Sequence, residues 1–243
     1  MKQTTVLITG HSHGLGAALA AAWLETGACV IGLARRTNPE LAATYPDQLQ
    51  ETAINLADSQ AVLAYTRSDA FRHICQEADT LWLFNNAGTV APSAPLGAQA
   101  DDDITHALNL NITAPLLLAN ATVAHARERV RIVHISSGAA RKPYPGWSIY
   151  GASKAALDRH AADAAAEGVR IVSLAPGVVD TVMQAGMRAD PAFPLRDQFA
   201  ALHADGKLQS ASDTAAQILA YCQSDQFARE PIADIRTLAM SPS

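Results

Sequence analysis

Short apolar runs alternate along the chain with longer alanine-rich stretches. The apolar, β-branched runs predict buried strands at 4–9, 29–34, 51–58, 81–84, 132–135, 169–174 and 231–236. The other stretches predict a helix that ends near residue 26, and further helices at 101–126, 151–166 and 212–222. This alternation predicts an α/β fold, a single domain over residues 1–243 with a doubly wound parallel sheet and helices on both faces.

Composition and charge narrow the class of protein. Hydrophobic residues make up 49% of the 243 residues, enough for one large core, and the net charge is -5. An acidic balance without a basic cluster argues against a nucleic-acid partner. No charged leader with an apolar signal core precedes the first strand, and no apolar run approaches the roughly eighteen residues of a membrane span. We therefore expect a cytoplasmic protein with no membrane partner.

A glycine-rich loop follows the first strand and opens the first helix. Glycines there allow a tight turn and a close approach to a pyrophosphate, which the free N–H groups of the helix N-terminus stabilise. Strand, glycine loop and helix in this order predict a dinucleotide-binding (Rossmann) domain, although such a loop alone also occurs as an ordinary tight turn. The expected cofactor contacts in the loop are Gly10, Ser12, His13, Gly14, Leu15 and Gly16.

Two histidines in this loop, His11 and His13, have a spacing that could suggest a metal. No third ligand is in view, and Cys29, Cys75 and Cys222 are scattered without metal-ligand spacing. We interpret both histidines as loop residues, with His13 facing a phosphate, and predict no metal site.

Two arginines, Arg35 and Arg36, follow Ala34 at the end of the second strand. In the dinucleotide fold an acidic residue near this point holds the ribose 2′-hydroxyl of NAD. A guanidinium instead binds the 2′-phosphate that a carboxylate would repel. The pair therefore predicts NADP(H) as the cofactor, the alternative being two surface arginines that touch nothing.

The central strand ends in Ser136 and Ser137, and a helix near Tyr150 carries Lys154 one turn later. Residues four apart share a helix face, so Tyr150 and Lys154 can enter one pocket. A nearby ammonium stabilises a phenolate and would lower the pKa of Tyr150, while a serine hydroxyl could hold a carbonyl oxygen beside the phenol. This set predicts a site that moves a proton while a hydride moves elsewhere. Without the other motifs, a solvated helix face would be the simpler explanation.

Asn111 lies inside the predicted helix 101–126, where asparagine is a poor helix former, and four residues before Pro115. The proline ring disturbs the carbonyl four residues back, so the freed carbonyl could hold a water. The alternative is a capped or solvent-facing asparagine. A small, polar run at 85–88 ends the fourth strand and leaves room for a bound nucleotide.

The segment 183–206 contains two prolines, mixed polarity and little periodicity. It is long for a structureless connection in a compact domain, and such loops often close over a substrate. We predict a substrate lid here.

Taken together, these motifs resemble the short-chain dehydrogenase/reductase family over nearly the whole chain. They are Thr9 with the glycine loop, the 85–88 run, Asn111, Ser137, the Tyr150–Lys154 pair and a Pro-Gly-x-x-x-Thr run at 176–181. Each is modest alone, but all of them in order and at family spacing form a specific signal. The resemblance also implies a homodimer or homotetramer that pairs through the helices containing Asn111 and Tyr150.

By this resemblance, Tyr150 is the general acid in reduction, and Ser137 rather than Ser136 orients the substrate carbonyl. Lys154 would lower the pKa of Tyr150 and bind the nicotinamide ribose, and the main chain of Asn111 would hold a water of a proton relay. The family implies further cofactor contacts at Asn55, Leu56, Asn86, Ala87, Gly88, Pro176, Gly177, Val179 and Thr181. Asn55 departs from the aspartate that commonly binds adenine, but its amide oxygen can accept from the same amino group.

A finer resemblance connects 142–150, 176–184 and 205–208 with the sepiapterin reductase and benzil reductase branch, whose members reduce vicinal dicarbonyls with NADPH. Tyr144, Trp147, Met183 and Met187 would then line a pocket suited to a flat, conjugated diketone, or else only pack the loop against the domain. The implied activity is NADPH-dependent reduction of a small-molecule carbonyl substrate. Two alternatives stay open: an alcohol dehydrogenase acting on a hydroxy-acyl or sugar-type substrate, and a non-catalytic NADP(H)-binding regulator.

Overall fold

The described part of the chain forms a seven-stranded, fully parallel sheet. A computed structural model describes residues 3–126, 129–189, 193–206 and 208–238. The strands are β1 Thr4–Thr9, β2 Cys29–Ala34, β3 Leu49–Ala53, β4 Thr80–Asn85, β5 Val130–Ile135, β6 Ile171–Ala175 and β7 Ile232–Asp234. Their order in the sheet is β3-β2-β1-β4-β5-β6-β7, which confirms the doubly wound α/β fold.

Helices connect the strands. They are α1 Gly14–Glu25, α2 Pro39–Thr44, α3 Ser59–Thr66, α4 Asp69–Glu77, α5 Asp101–Leu108, α6 Ala114–Ala126, α7 Ser148–Ala166, α8 Val182–Ala189, α9 Arg196–Ala204 and α10 Ala211–Gln223. Helix α2 begins at a capped turn, because the Asn38 side chain accepts a hydrogen bond from the Leu41 N–H and Pro39 occupies the first turn.

Both faces of the sheet are covered, so the strands are apolar on both sides. On one face, Trp23 of α1 lies 5.2 Å, between ring centroids, from Trp82 of β4, and Tyr221 of α10 joins the same cluster. On the other face, Leu83 of β4 packs with Leu118 of α6. Each such buried side chain contributes about 1.5–3 kcal/mol to folding. The sheet order reverses between β1 and β4, so the crevice for a ligand lies at the carboxyl ends of these central strands.

The predicted helix 101–126 is two helices joined by a π-helical turn at Asn109–Thr113. Within this turn the Ala114 N–H donates to the Asn109 carbonyl, five residues back. Pro115 has no N–H for the carbonyl of Asn111, which explains a widened turn here. The interruption predicted from Pro115 is therefore present, and it begins several residues before the proline.

The span 101–126 is also the one segment of the described residues that is long and apolar enough, with a mean hydropathy of 1.3, to cross a membrane. The sequence pattern alone missed this property. Its apolar residues include Ala107, Leu118 and Ala119, which are buried within the fold. This burial is what the core helix of an α/β domain requires.

The sequence pattern also predicted the wrong bounds for the third strand and no helices in the segment after the sixth strand. The third strand covers Leu49–Ala53 rather than 51–58. The segment 183–206, which lacks clear periodicity, contains most of α8 and all of α9. The Thr181 hydroxyl accepts from the Gln184 N–H at 3.4 Å and so helps to begin α8. Residues 190–192 of this segment, and Lys207 of the 205–208 motif, lie outside the described residues.

Candidate active site

One cavity of about 490 Å³ opens at the carboxyl ends of the central strands. Every residue predicted to contact cofactor or substrate lines this cavity, from the glycine loop through Arg35 and Asn55 to Thr181 and Met187. Of the predicted catalytic residues, Ser137, Tyr150 and Lys154 also line it, whereas Asn111 does not. The fold therefore brings the separate motifs of the sequence into one place.

The glycine loop requires glycine at specific points. Gly10 and Gly14 have φ angles of 72° and 57°, which disfavour other residues. A Cβ on Gly16 would lie 2.1 Å from the Gly10 carbonyl oxygen, so helix α1 can approach the loop only without a side chain there. The loop is also joined to the end of β4, because the Thr9 hydroxyl accepts from the N–H groups of Asn86 and Ala87, both at 2.9 Å.

His11 is buried rather than a plain loop residue. Its exposed fraction is 1%, and a Cβ on Gly32 would lie 2.4 Å from its ring. The Nε2 atom of His11 lies 2.6 Å from a carboxylate oxygen of Glu51, and the same oxygen accepts from the Asn38 N–H at 2.6 Å. His11 therefore fastens the glycine loop to β2 and β3. No group of three potential ligands for a metal ion occurs among the described residues.

The end of the cavity beside β2 is cationic. Arg35 and Arg36 line it, and neither has a hydrogen-bond or ion-pair partner within the described ranges of the chain. No nearby carboxylate neutralises them, so both guanidinium groups are available to a phosphate. Asn55 also lines the cavity, where its side-chain oxygen accepts from the Ala57 N–H at 3.2 Å. Together with the uncrowded glycine loop, this end fits the adenosine 2′-phosphate of NADP(H).

Ser137 and Tyr150 meet at the other end of the cavity. The Ser137 hydroxyl accepts from the Ala139 N–H at 3.2 Å, which fixes it at the start of a short 3-10 turn after β5. Burial raises the pKa of Tyr150, and a hydrogen bond with Ser137 opposes that rise in part. The phenol therefore keeps its proton at neutral pH, as a proton donor must.

Lys154 lies beside this phenol but acts on it differently from the prediction. Its Nζ donates to the Ile135 carbonyl at 2.7 Å and lies 5.7 Å from the centroid of the Tyr150 ring. Burial lowers the pKa of Lys154 to about 8, and the Asp158 charge opposes this. The expected net lowering of the Tyr150 pKa is not observed, because burial of the phenol raises it and the Lys154 ammonium is directed at a main-chain carbonyl.

Asn111 is a fully buried anchor, which excludes the capped or solvent-facing alternative. Its side chain accepts from the Thr89 N–H at 2.8 Å, and its Nδ2 donates to the Thr89 carbonyl at 2.8 Å and the Ser153 hydroxyl at 3.1 Å. A Cβ on Gly88 would lie 3.2 Å from Asn111 Oδ1 and 3.5 Å from Lys154 Nζ. Asn111 therefore fixes the loop after β4 against the lysine helix.

Aromatic rings enclose the substrate end. Trp147 stacks on Phe193 at a centroid distance of 5.1 Å, and it meets the edge of Tyr150 at 5.1 Å and Phe199 at 5.4 Å. Its indole N–H donates to the Ser93 hydroxyl at 3.1 Å. Trp147 thus both lines the cavity and packs the loop against the domain.

Sequence reasoning missed several residues of the site. Gln184, Phe199 and Arg236 line the cavity, and none of them was predicted as a site residue, although Gln184 belongs to the 176–184 motif. Asp158, in contrast, carried a usable signal, since it lies one helical turn beyond Lys154 on the same face.

The fold and site describe a nucleotide-dependent oxidoreductase, and comparison with known proteins agrees. The profile of the short chain dehydrogenase family matches residues 4–192. Benzil reductase ((S)-benzoin forming) of Bacillus cereus is 34% identical over 238 residues, which cover 91% of this chain and 95% of that protein. Sepiapterin reductase of Mus musculus is 30% identical over 240 residues, or 91% of this chain and 92% of that protein.

A solved structure supports the same relationship. The crystal structure of a short-chain dehydrogenase/reductase from Burkholderia vietnamiensis is 39% identical, with a TM-score of 0.70, and the match covers 97% of this chain and 100% of that one. The chain therefore belongs to the short-chain dehydrogenase/reductase family of oxidoreductases, which act on CH–OH or C=O groups. The resemblance to its sepiapterin and benzil reductase branch is also confirmed.

Proposed function

We propose that the protein is an NADPH-dependent carbonyl reductase whose substrate is a vicinal dicarbonyl. The observation that carries this proposal is one continuous cavity. It joins a glycine loop and two arginines, which have no partner among the described residues, to a partly buried, protonated phenol with a serine hydroxyl beside it. Such a cavity can hold a phosphorylated dinucleotide along its length and a carbonyl at its far end.

The cofactor proposal rests on residues of this chain. Arg35 and Arg36 would bind the 2′-phosphate, and the glycine loop would receive the pyrophosphate. Thr181 packs against that loop, since a Cβ on Gly14 would lie 3.4 Å from its methyl carbon. By the family resemblance, it would contact the nicotinamide carboxamide. When bound, NADPH would supply the hydride.

The proton chemistry belongs to three side chains. Ser137 would donate a hydrogen bond to the substrate carbonyl and orient it, and Tyr150 would give its proton to the carbonyl oxygen. The Lys154 ammonium, next to the phenol in the same buried pocket, would stabilise the charge left on Tyr150 after the transfer. Fixing the carbonyl and the phenol in one pocket would supply part of the rate by orientation.

The substrate class rests on two observations. The relatives named benzil reductase and sepiapterin reductase match more than nine-tenths of the chain. Trp147, Tyr144 and Met187 enclose the cavity near Tyr150 with aromatic and thioether surface, against which a flat, conjugated diketone would pack well.

The direct test is loss of NADPH absorbance with a panel of benzil, phenylpropanedione, a pterin ketone, benzaldehyde and acetophenone. We expect turnover of the aromatic dicarbonyls, and lower activity with NADH. Oxidation of alcohols without carbonyl reduction would favour an alcohol dehydrogenase, and tight NADPH binding without turnover of any compound would favour a regulator.

We further propose a homo-oligomer, dimer or tetramer, that works in the cytoplasm. Light scattering after size-exclusion chromatography tests the first part, where a monomer would contradict it. Cell fractionation tests the second.

A further inference from the structure

Asp158 is a buried carboxylate on α7 that collects three hydrogen bonds. Its exposed fraction is 6%. One carboxylate oxygen accepts from the hydroxyls of Ser136 and Ser173, both at 2.7 Å, and the other accepts from Arg141 Nε at 2.9 Å. Ser136 directly follows β5, Ser173 lies in the middle of β6, and Arg141 belongs to the loop before α7. A carboxylate taken out of water needs such partners, and here all of them come from elements that surround the active site.

Through these bonds, helix α7 holds the end of β5 at two consecutive residues. Lys154 Nζ donates to the Ile135 carbonyl at 2.7 Å, and one turn later Asp158 accepts from Ser136. The next residue is Ser137. The helix that carries Tyr150 therefore also sets the position of the serine that faces it. Asp158 further holds Arg141, which lies in the loop that begins at Ser137.

Asp158 also places a negative charge near Lys154. The groups that face Lys154 are Asp158 and Tyr150 on its own helix and His134 on β5. Burial lowers the pKa of His134 to about 3, so this imidazole is neutral, and burial keeps the phenol of Tyr150 protonated. Asp158 is thus the anion that opposes the loss of the Lys154 proton.

We propose that Asp158 is a positioning residue for the reduction, which fixes Ser137 through Ser136 and provides the negative charge that faces the Lys154 ammonium. This inference rests on the proposed function, because it assigns Asp158 to the same proton transfer. Asp158 does not touch the substrate. Its contribution divides into a geometric part, carried by Ser136, and an electrostatic part, carried by the carboxylate charge.

The test measures kcat/KM for a dicarbonyl against pH in wild type and in Asp158→Asn. Burial lowers the pKa of Lys154 to about 8, so on raising the pH the ammonium loses its proton before the phenol does. This loss sets the alkaline limb of the pH profile of kcat/KM. Removing the opposing anion lowers this pKa further, so the limb moves to lower pH, by about one pH unit. We also expect about a tenfold fall in kcat at neutral pH, because Ser137 is less well placed. The matched control is Asp163→Asn, which removes an exposed carboxylate from the same helix and leaves both readouts unchanged.

A pair of serine variants separates the two parts and remains informative if Asp158→Asn does not fold. Ser136→Ala and Ser173→Ala each remove one hydroxyl from the same carboxylate oxygen. We expect Ser136→Ala to lower kcat about tenfold with its alkaline limb unmoved, and Ser173→Ala to stay close to wild type.

Two outcomes would overturn the inference about Asp158 without contradicting the proposed reductase function. One is an active Asp158→Asn whose pH profile matches wild type, and the other is an equal effect of the two serine variants. If the wild type reduces no carbonyl compound, the proposed function itself fails and the inference fails with it.

Discussion

The two ends of the cavity are built in different ways. The cofactor end lies at the strand termini of a sheet buried on both faces, where hydrogen bonds between Thr9 and Asn86 join the glycine loop to the end of β4. The substrate end is enclosed by α8 and α9, which lie outside the sheet and pack through Trp147, Phe193 and Phe199. In the proposed reduction, the sheet would therefore position the reacting groups, while a separate segment packed through its side chains would select the carbonyl compound.

The largest effect on stability is expected from adding a side chain in the glycine loop at the cofactor end. In Gly16→Ala, the new methyl group would meet the Gly10 carbonyl at 2.1 Å, so backbone must move. We expect a loss of about 3 kcal/mol of folding stability, measured by denaturant unfolding, and weaker NADPH binding.

The matched change at the substrate end is Gly186→Ala in α8, where a Cβ would have no neighbour within 4 Å. Alanine favours the helix by about 0.5–1 kcal/mol, so this variant should be no less stable than wild type. Equal destabilisation by the two variants would remove the contrast between the ends.

A second prediction concerns the cofactor end alone. Arg35→Ala should raise the KM for NADPH about tenfold or more and change the KM for NADH little, because a charge-assisted hydrogen bond to the 2′-phosphate is lost. Steady-state kinetics with both cofactors measure this. Arg159→Ala, at an exposed position on α7, is the control. Equal effects on NADPH and NADH would refute the role of Arg35.

The smallest effect is expected at the substrate end. Met183 lines the cavity and is 40% exposed, so Met183→Ala should cost little stability. It should lower kcat/KM for benzil about tenfold. The kcat/KM for diacetyl, which lacks rings, should stay nearly unchanged. The neighbouring Val182 is 71% exposed and does not line the cavity, so Val182→Ala should change kcat/KM for neither substrate. A uniform loss with both diketones would show that Met183 does not select for size.

The same contrast explains what the sequence could predict. β1 and β2 begin and end at the predicted residues, because strands buried on both faces form short, mainly apolar and β-branched runs. The motif residues of the cofactor end were predicted because backbone geometry restricts them to a few residue types. His11 was misread, since only the fold brings Glu51 next to it.

The pKa shifts of the site and the helices of the segment 183–206 were harder to predict from the sequence. The pKa of Tyr150 shifts upward and not downward as expected, because helical spacing reports proximity but neither burial nor the Ile135 carbonyl that binds the Lys154 ammonium. Helices α8 and α9 escaped prediction because their stability comes from contacts with Trp147 rather than from a regular apolar period.

The central claim is that the partly buried, protonated phenol of Tyr150 donates the proton during carbonyl reduction. The most direct measurement compares wild type with Tyr150→Phe for NADPH binding, by fluorescence titration, and for turnover of benzil. We predict NADPH affinity close to wild type and turnover lower by at least about 100-fold, since only the hydroxyl is removed. Near-normal turnover in Tyr150→Phe would contradict the account.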